Sequence, residues 1–246
     1  MSEKLAIPAV IAHRGACDTA PENTLPAFRE AMTIGSDGIE TDVQMTKDGH
    51  LVLIHDARVD RTTNGEGLVS NFTLRELRAL DAGSWFSKNF TGTTIPLLSE
   101  LLDLCAGQIP LVIEIKAKGI EQLLKENILH HPRGREANIT FTSFSLDYLV
   151  ALKGIWPEAH CGYLVREPSF NLVPGLRASG IRQICPPAKS LTSEAVEAWH
   201  KEGFTVRAWD VKTEDMVRHC AAIGVDGFTV NFPKKALIFL GKQVNR

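Results

Sequence analysis

A chain of 246 residues, 44% of them hydrophobic and 23% charged, can bury a sizeable core without disulfide staples. Its 27 Lys and Arg stand against 29 Asp and Glu, a formal charge of -2 that excludes a global basic field for nucleic acid or acidic membranes. Cys17, Cys105, Cys161, Cys185 and Cys220 show no CxxC spacing, the start carries no secretory pattern, and no apolar run is long enough to span a bilayer, so a cytoplasmic protein with reduced thiols is expected.

β-Branched runs alternate with amphipathic ones. Barrel-type strands are expected at Ala9–His13, Gly38–Gln44, Leu111–Lys116, Ile139–Ser143, Cys161–Val165, Gln183–Cys185, Thr205–Asp210 and Gly227–Val230, with Leu51–Asp56 as an extra strand. Thr24 or Asn23 is expected to cap the first helix, with Pro26 tolerated in its first turn. Thr192 and Thr213 cap later helices that stop at Gly203 and Gly224. This strand–helix alternation predicts α/β architecture, a (β/α)8 TIM barrel over residues 1–246. A doubly wound open sheet is the rival, disfavoured because no GxGxxG follows the first strand. Residues 57–96 break the alternation. They are Gly-rich and polar, with Thr73 and Glu76 spaced as a capping box, and read as an insertion on the functional face.

Reactive groups in such barrels sit where strands end. The first strand ends in His13-Arg14. On the second, Glu40 and Asp42 are two residues apart and share a face; two adjacent like charges call for a cation. Asp48-Gly49 predicts a two-residue hairpin loop, which places Asp42 directly opposite His55. On the third parallel strand Glu114 and Lys116 share a face. At one barrel mouth the set becomes His13, Arg14, Glu40, Asp42, His55, Glu114 and Lys116. Three carboxylates suit Mg²⁺ or Ca²⁺ better than zinc. Two histidines suit general acid and base, and Arg with Lys suits phosphate. Together these groups indicate phosphoryl chemistry without NTP use, since no P-loop is present.

The motifs HRG (13–15), PENT (21–24), IETDVQMTKDGHLVLIHD (39–56) and IEIK (113–116) resemble those of glycerophosphodiester phosphodiesterases, most of all the cytoplasmic bacterial members. The likeness continues through LDAGSWF, IPLLSELL, TSFS, VRAWDV and GVDGFTVNFP, over nearly the whole chain. It implies a (β/α)8 barrel with a small inserted subdomain. It also implies hydrolysis of glycerophosphodiesters to sn-glycerol 3-phosphate and an alcohol. By that resemblance Glu40, Asp42 and Glu114 hold one divalent cation, His13 and His55 are catalytic, and Arg14 and Lys116 contact phosphate. The final strand departs from the family pattern: Asn231 stands for an acidic residue and Phe228 for an aliphatic one.

Glu22 is a candidate to orient Arg14 or touch substrate, and Trp209 to stack on the glycerol or head group or to fill the core. Trp85 and Phe86 either cover the site or anchor the insertion. The remaining histidines are assigned no chemistry. The partner expected is a small-molecule glycerophosphodiester, with a homodimer left open and neither nucleic acid nor a membrane span. The rivals are a lipid phosphodiesterase, for which Phe72, Trp85, Phe86 and Phe90 are thin support, a non-catalytic phosphate-binding module, and a barrel isomerase or aldolase.

Overall fold

In a computed structural model, which describes residues 6–245, the β-branched runs pair into one sheet that closes on itself. The strands are β1 (Ala9–His13), β2 (Gly38–Met45), β3 (Leu51–Leu53), β4 (Leu111–Ile115), β5 (Ile139–Ser143), β6 (His160–Leu164), β7 (Gln183–Cys185), β8 (Thr205–Val211) and β9 (Gly227–Val230). Around the barrel the order is β1-β9-β8-β7-β6-β5-β4-β2, all parallel, with β1 pairing β2 to complete the circle. Closure rules out the open doubly wound sheet. No helix of the described residues is long and apolar enough to cross a membrane.

Strand alternation sorts side chains into two layers. Outward-facing Val10, Ile39, Ile113, Phe141, Ile184, Val206 and Phe228 join helix residues such as Phe28, Leu102, Leu124 and Trp199 in one buried cluster. Burying each large apolar side chain stabilises the fold by about 1.5–3 kcal/mol. Phe228 therefore belongs to the outer core, while Asn231 beyond it faces the mouth. Barrel interiors are normally packed with branched apolar residues. Here Glu40, Asp42, Glu114, Thr142, Arg207 and Thr229 are buried on the inner face instead. Two helices start as their sequences predict: Thr192 and Thr213 accept hydrogen bonds from the backbone N–H groups of Ala195 and Met216.

Residues 57–96 lie between β3 and the helix Leu98–Cys105. The short helix Leu74–Arg78 opens with the expected Thr73–Glu76 capping box. Val59, Val69, Leu77, Ala82 and Ile95 form a separate apolar cluster with Val52 and Ile54 around the β3 segment. Phe86 packs edge-on against both Trp85 and Phe90, and none of the three lines the mouth cavity.

The hairpin differs from expectation by one residue. Thr46 donates its N–H to the His50 carbonyl at 2.9 Å, and Gly49 sits at φ +81°, so Lys47-Asp48-Gly49 form a three-residue loop. The observed pairs are Val43–Leu53, Gln44–Val52 and Met45–Leu51. Asp42 thus opposes Ile54, whose N–H donates to the Asp42 carbonyl at 3.0 Å, and not His55. The strand is also shorter than Leu51–Asp56. A one-residue slip would turn His55 away from the acidic pair if the ladder continued. It does not, because β1 already occupies the same edge of β2 as far as His13–Glu40. The descending chain must leave β2 where the ascending one ends, and His55 turns into the mouth there.

After β1 the chain reverses through Arg14 at φ +58° and Gly15 at φ +81°. A Cβ on Gly15 would lie 2.6 Å from the Ala27 carbonyl carbon. Gly15→Ala is therefore expected to lose about 2 kcal/mol or more of stability, from strain and backbone overlap together, in urea unfolding. A loss within error of zero would contradict this account of the turn.

Candidate active site

The turn after β1 aims two groups inward. Arg14 donates its backbone N–H to Glu40 Oε2 at 3.0 Å. Its guanidinium donates to Glu22 Oε1 at 2.7 Å, and its Nε lies 3.4 Å from Asp42 Oδ2. On β2 and β4 the pleat brings Glu40, Asp42 and Glu114 together, and register puts Asp42 beside Glu114. One oxygen from each of the three lies within 4.8 Å of the others. Lys116, one residue past β4, places Nζ 2.8 Å from Glu114 Oε1 and 3.3 Å from Asp42 Oδ1.

Asp42 has no exposed surface. Asn23 donates its side-chain amide to Asp42 Oδ2 at 2.9 Å, while its own oxygen accepts from Thr41 Oγ1 (2.7 Å) and the Asp42 N–H (3.2 Å). This corrects the expected helix cap. Asn23 sits at φ +56° and faces Asp42. Thr24 holds the cap position, with Pro26 in the first turn as expected, but donates its hydroxyl to the Pro21 carbonyl and gives the helix Leu25–Thr33 no side-chain cap. Asp42 Oδ1 has no hydrogen-bond partner, since Lys116 approaches it outside hydrogen-bonding geometry. An orphaned buried carboxylate oxygen among three clustered acids fits a hard divalent cation.

Burial, then the charge of Asp42, pushes Glu40 up to about 8 and Glu114 up to about 7. For Asp42 burial acts in the same upward direction, but Lys116 and then Arg14 outweigh it and hold the group below its usual range. Burial opposes the charges on Arg14 and Lys116 as well, yet Asp42 keeps both raised.

The histidines flank this cluster, each held at Nδ1. His13 Nδ1 lies 2.5 Å from Asn231 Oδ1, and its Nε2 lies 3.8 Å from Glu40 Oε2. His55 Nδ1 lies 2.6 Å from Asp56 Oδ1. An amide oxygen and a carboxylate only accept, so both Nδ1 atoms carry the proton and both Nε2 atoms remain for proton exchange. Crowding by the barrel wall, then the Arg14 charge, lowers His13 to about 4, although about 30% of its side chain still meets solvent. Burial also lowers His55. Arg61, from the insertion, binds Asp56 Oδ2 at 2.7 Å and both Glu22 oxygens at 2.8 Å. Asp56 is thereby lowered to about 2, with the Arg61 hydrogen bond as the main cause.

These groups open onto a cavity of about 260 Å³. His13, Arg14, Glu40, His55, Glu114, Lys116 and Trp209 all line it, whereas Asp42 lies behind them. Glu22 does not line it; both its oxygens are engaged by Arg14 and Arg61. Trp209 donates its indole N–H to the Val165 carbonyl at 3.2 Å and meets Phe144 edge-on. Asp56, Arg61, Phe144 and Arg207 were not singled out from sequence, and Asn23 only as a helix cap. Asp56 had a signal in its place beside His55, and Asn23, Phe144 and Arg207 lie within the motifs PENT, TSFS and VRAWDV. Of the other histidines, none lines the cavity.

A model of the glycerophosphoryl diester phosphodiesterase family matches residues 13–235. A glycerophosphodiester phosphodiesterase of Caldanaerobacter subterraneus is 41% identical over 244 residues, 95% of this chain and 98% of that one. Its counterpart in Bacillus altitudinis is 34% identical over 93% of this chain and 96% of its own length. A solved structure of an Oleispira antarctica phosphodiesterase in complex with the product sn-glycerol-3-phosphate is also similar, with a TM-score of 0.90 and 30% identity over 96% of this chain and 98% of that one.

The carboxylates give a pH dependence whose sign can be worked out. A carboxyl raised on folding stabilises fully below its unfolded value near 4.5, and this contribution is lost as pH rises through about 7 for Glu114 and 8 for Glu40. His13, lowered on folding, works the other way, and its contribution is complete above 6.5. Metal-stripped protein is therefore expected to lose thermal stability between pH 6.5 and about 9, and Glu40→Gln to flatten that fall. Added Ca²⁺ should abolish it. A midpoint that rises over this window would contradict the assignment.

Proposed function

The chain belongs to the glycerophosphoryl diester phosphodiesterase family and carries its diester-hydrolysing activity; from that premise we propose a cation-assisted histidine mechanism that releases sn-glycerol 3-phosphate and an alcohol. The observation that carries this reading is the buried acid cluster with an orphaned Asp42 oxygen, flanked by two histidines each fixed at Nδ1. The product-bound Oleispira antarctica relative supports the substrate class.

Glu40, Asp42 and Glu114 hold one divalent cation, Mg²⁺ or Ca²⁺. When bound, it supplies positive charge against the negative charge that a phosphodiester gains on attack. Arg14 and Lys116 bind the non-bridging oxygens and add to that stabilisation. The glycerol 2-hydroxyl of the substrate attacks phosphorus, and Nε2 of one histidine takes its proton. The other histidine takes up a second proton, at Nε2, from solvent as the anionic diester binds. As the bond to the alcohol oxygen breaks, it passes that proton to the oxygen and returns to the neutral imidazole. Intramolecular attack carries a proximity advantage and forms a cyclic phosphate. Water then opens the ring with the histidine roles exchanged. Trp209 forms part of the wall against which the alcohol lies, and Glu22 acts through Arg14. The same reading places the enzyme in the cytoplasm, where reduced thiols are the rule.

His13→Ala and His55→Ala should each lower kcat for glycerol 3-phosphate release by about a thousandfold, with unfolding midpoints near wild type. Near-normal kcat in either variant would sink the acid–base assignment. The cyclic route is tested with a diester lacking the glycerol 2-hydroxyl, which should not be turned over. Unimpaired hydrolysis of that analogue would replace the intramolecular step with direct attack by water.

A further inference from the structure

Among the described residues, Arg207 is the one buried charged group of the barrel interior that the mechanism leaves unused. It projects inward from β8, is 5% exposed, and lines the same cavity from the wall opposite the acid cluster. Its partners are neutral. It donates to Thr229 Oγ1 and, at 3.5 Å, to Cys185 Sγ, a weak acceptor, and its contact to Gln183 Oε1 is long at 3.5 Å. Among the described residues it forms no ion pair. A guanidinium has five N–H donors, so two are left without a protein acceptor. A buried cation with spare donors and no counter-ion is costly unless what fills the cavity supplies oxygens.

The rest of that wall points the same way. Phe144 and Trp209 offer aromatic surface of the kind that binds quaternary ammonium groups. However, the Arg166 guanidinium already sits 4.5 Å over the Phe144 ring. Asp210, the acid on this side, pairs with Lys212 at 2.8 Å. A choline group would meet one buried cation and, with Phe144 and Asp210 already taken, the Trp209 ring alone as a favourable partner. A polyol would meet unsatisfied donors.

We infer that Arg207 is a specificity-determining residue, and that the cavity selects diesters whose alcohol is oxygen-rich and uncharged or anionic over those with a quaternary ammonium group. This rests on the phosphodiesterase reading above. Like-charge repulsion and an unpaired buried donor both act against the cationic substrate.

The test measures glycerol 3-phosphate release by the metal-loaded enzyme from glycerophosphoglycerol and from glycerophosphocholine. Wild type should favour glycerophosphoglycerol in kcat/KM by about tenfold or more. Arg207→Gln, checked for folding by its unfolding midpoint, should shrink that ratio about tenfold, mainly by raising KM for glycerophosphoglycerol, and Arg207→Lys should restore part of it. Should Arg207→Gln not fold, Arg166→Ala takes its place; it uncovers Phe144 and should raise turnover of glycerophosphocholine relative to the polyol diester. Equal turnover by wild type, or a ratio that the variant leaves unmoved, overturns the head-group inference and leaves the phosphodiesterase reading standing. A wild-type enzyme that hydrolyses neither diester overturns both.

Discussion

Asp42 carries a carboxylate with none of its surface exposed, and the mouth of the barrel is arranged to keep it charged. Removing such a group from water costs several kcal/mol in effective terms, so it must be met by cations and donors. Lys116 and Arg14 provide the cations and Asn23 the hydrogen bond. Much of the local backbone follows from this requirement. Arg14 and Asn23 both adopt the left-handed conformation that non-glycine residues avoid, and the third such residue among those described, Asp210, lines the same cavity. Strain of this kind persists only where the surroundings over-determine it. Here the two strained turns deliver the side chains that enclose Asp42.

The same network ties the insertion to the groups proposed as catalytic. From His55 it runs through Asp56 to Arg61, on to Glu22, then Arg14 and Asp42. Arg61 is the link that the insertion contributes. Its side chain is 44% exposed, so its value lies less in raw stability than in fixing the orientations of Asp56 and Glu22. The two histidines are treated differently: His55 donates to a carboxylate, His13 to the amide of Asn231. Asn231, read from the resemblance as a departure from the family pattern, is thus in direct contact with one of the two histidines proposed as proton carriers.

Much of this was legible in the pattern of residues. Alternation along Gly38–Met45 and Leu111–Ile115 shows that Glu40, Asp42 and Glu114 point one way, and parallel pairing of those strands brings the carboxylates together. His55 was placed in the site by a hairpin register that is off by one residue. It arrives there because β1 and β3 compete for one edge of β2, a constraint invisible until the barrel closes. Asn23 was illegible for a different reason: an Asn before a helix normally caps it, and nothing in PENT shows that the side chain turns to a buried carboxylate instead. Arg207 sits between two apolar residues of a strand, where alternation shows only that it points to the opposite side from them.

The central claim is that the fold holds Asp42 ionised and short of one partner so that the three acids can take a cation. Binding of Mn²⁺, followed by electron paramagnetic resonance on wild type and Asp42→Asn, tests it without reference to turnover. One ion per chain in wild type, with affinity at least about tenfold weaker in the near-isosteric variant, is the result predicted. Equal affinity in the two proteins would show that the cation is held elsewhere and that the buried carboxylate has another purpose.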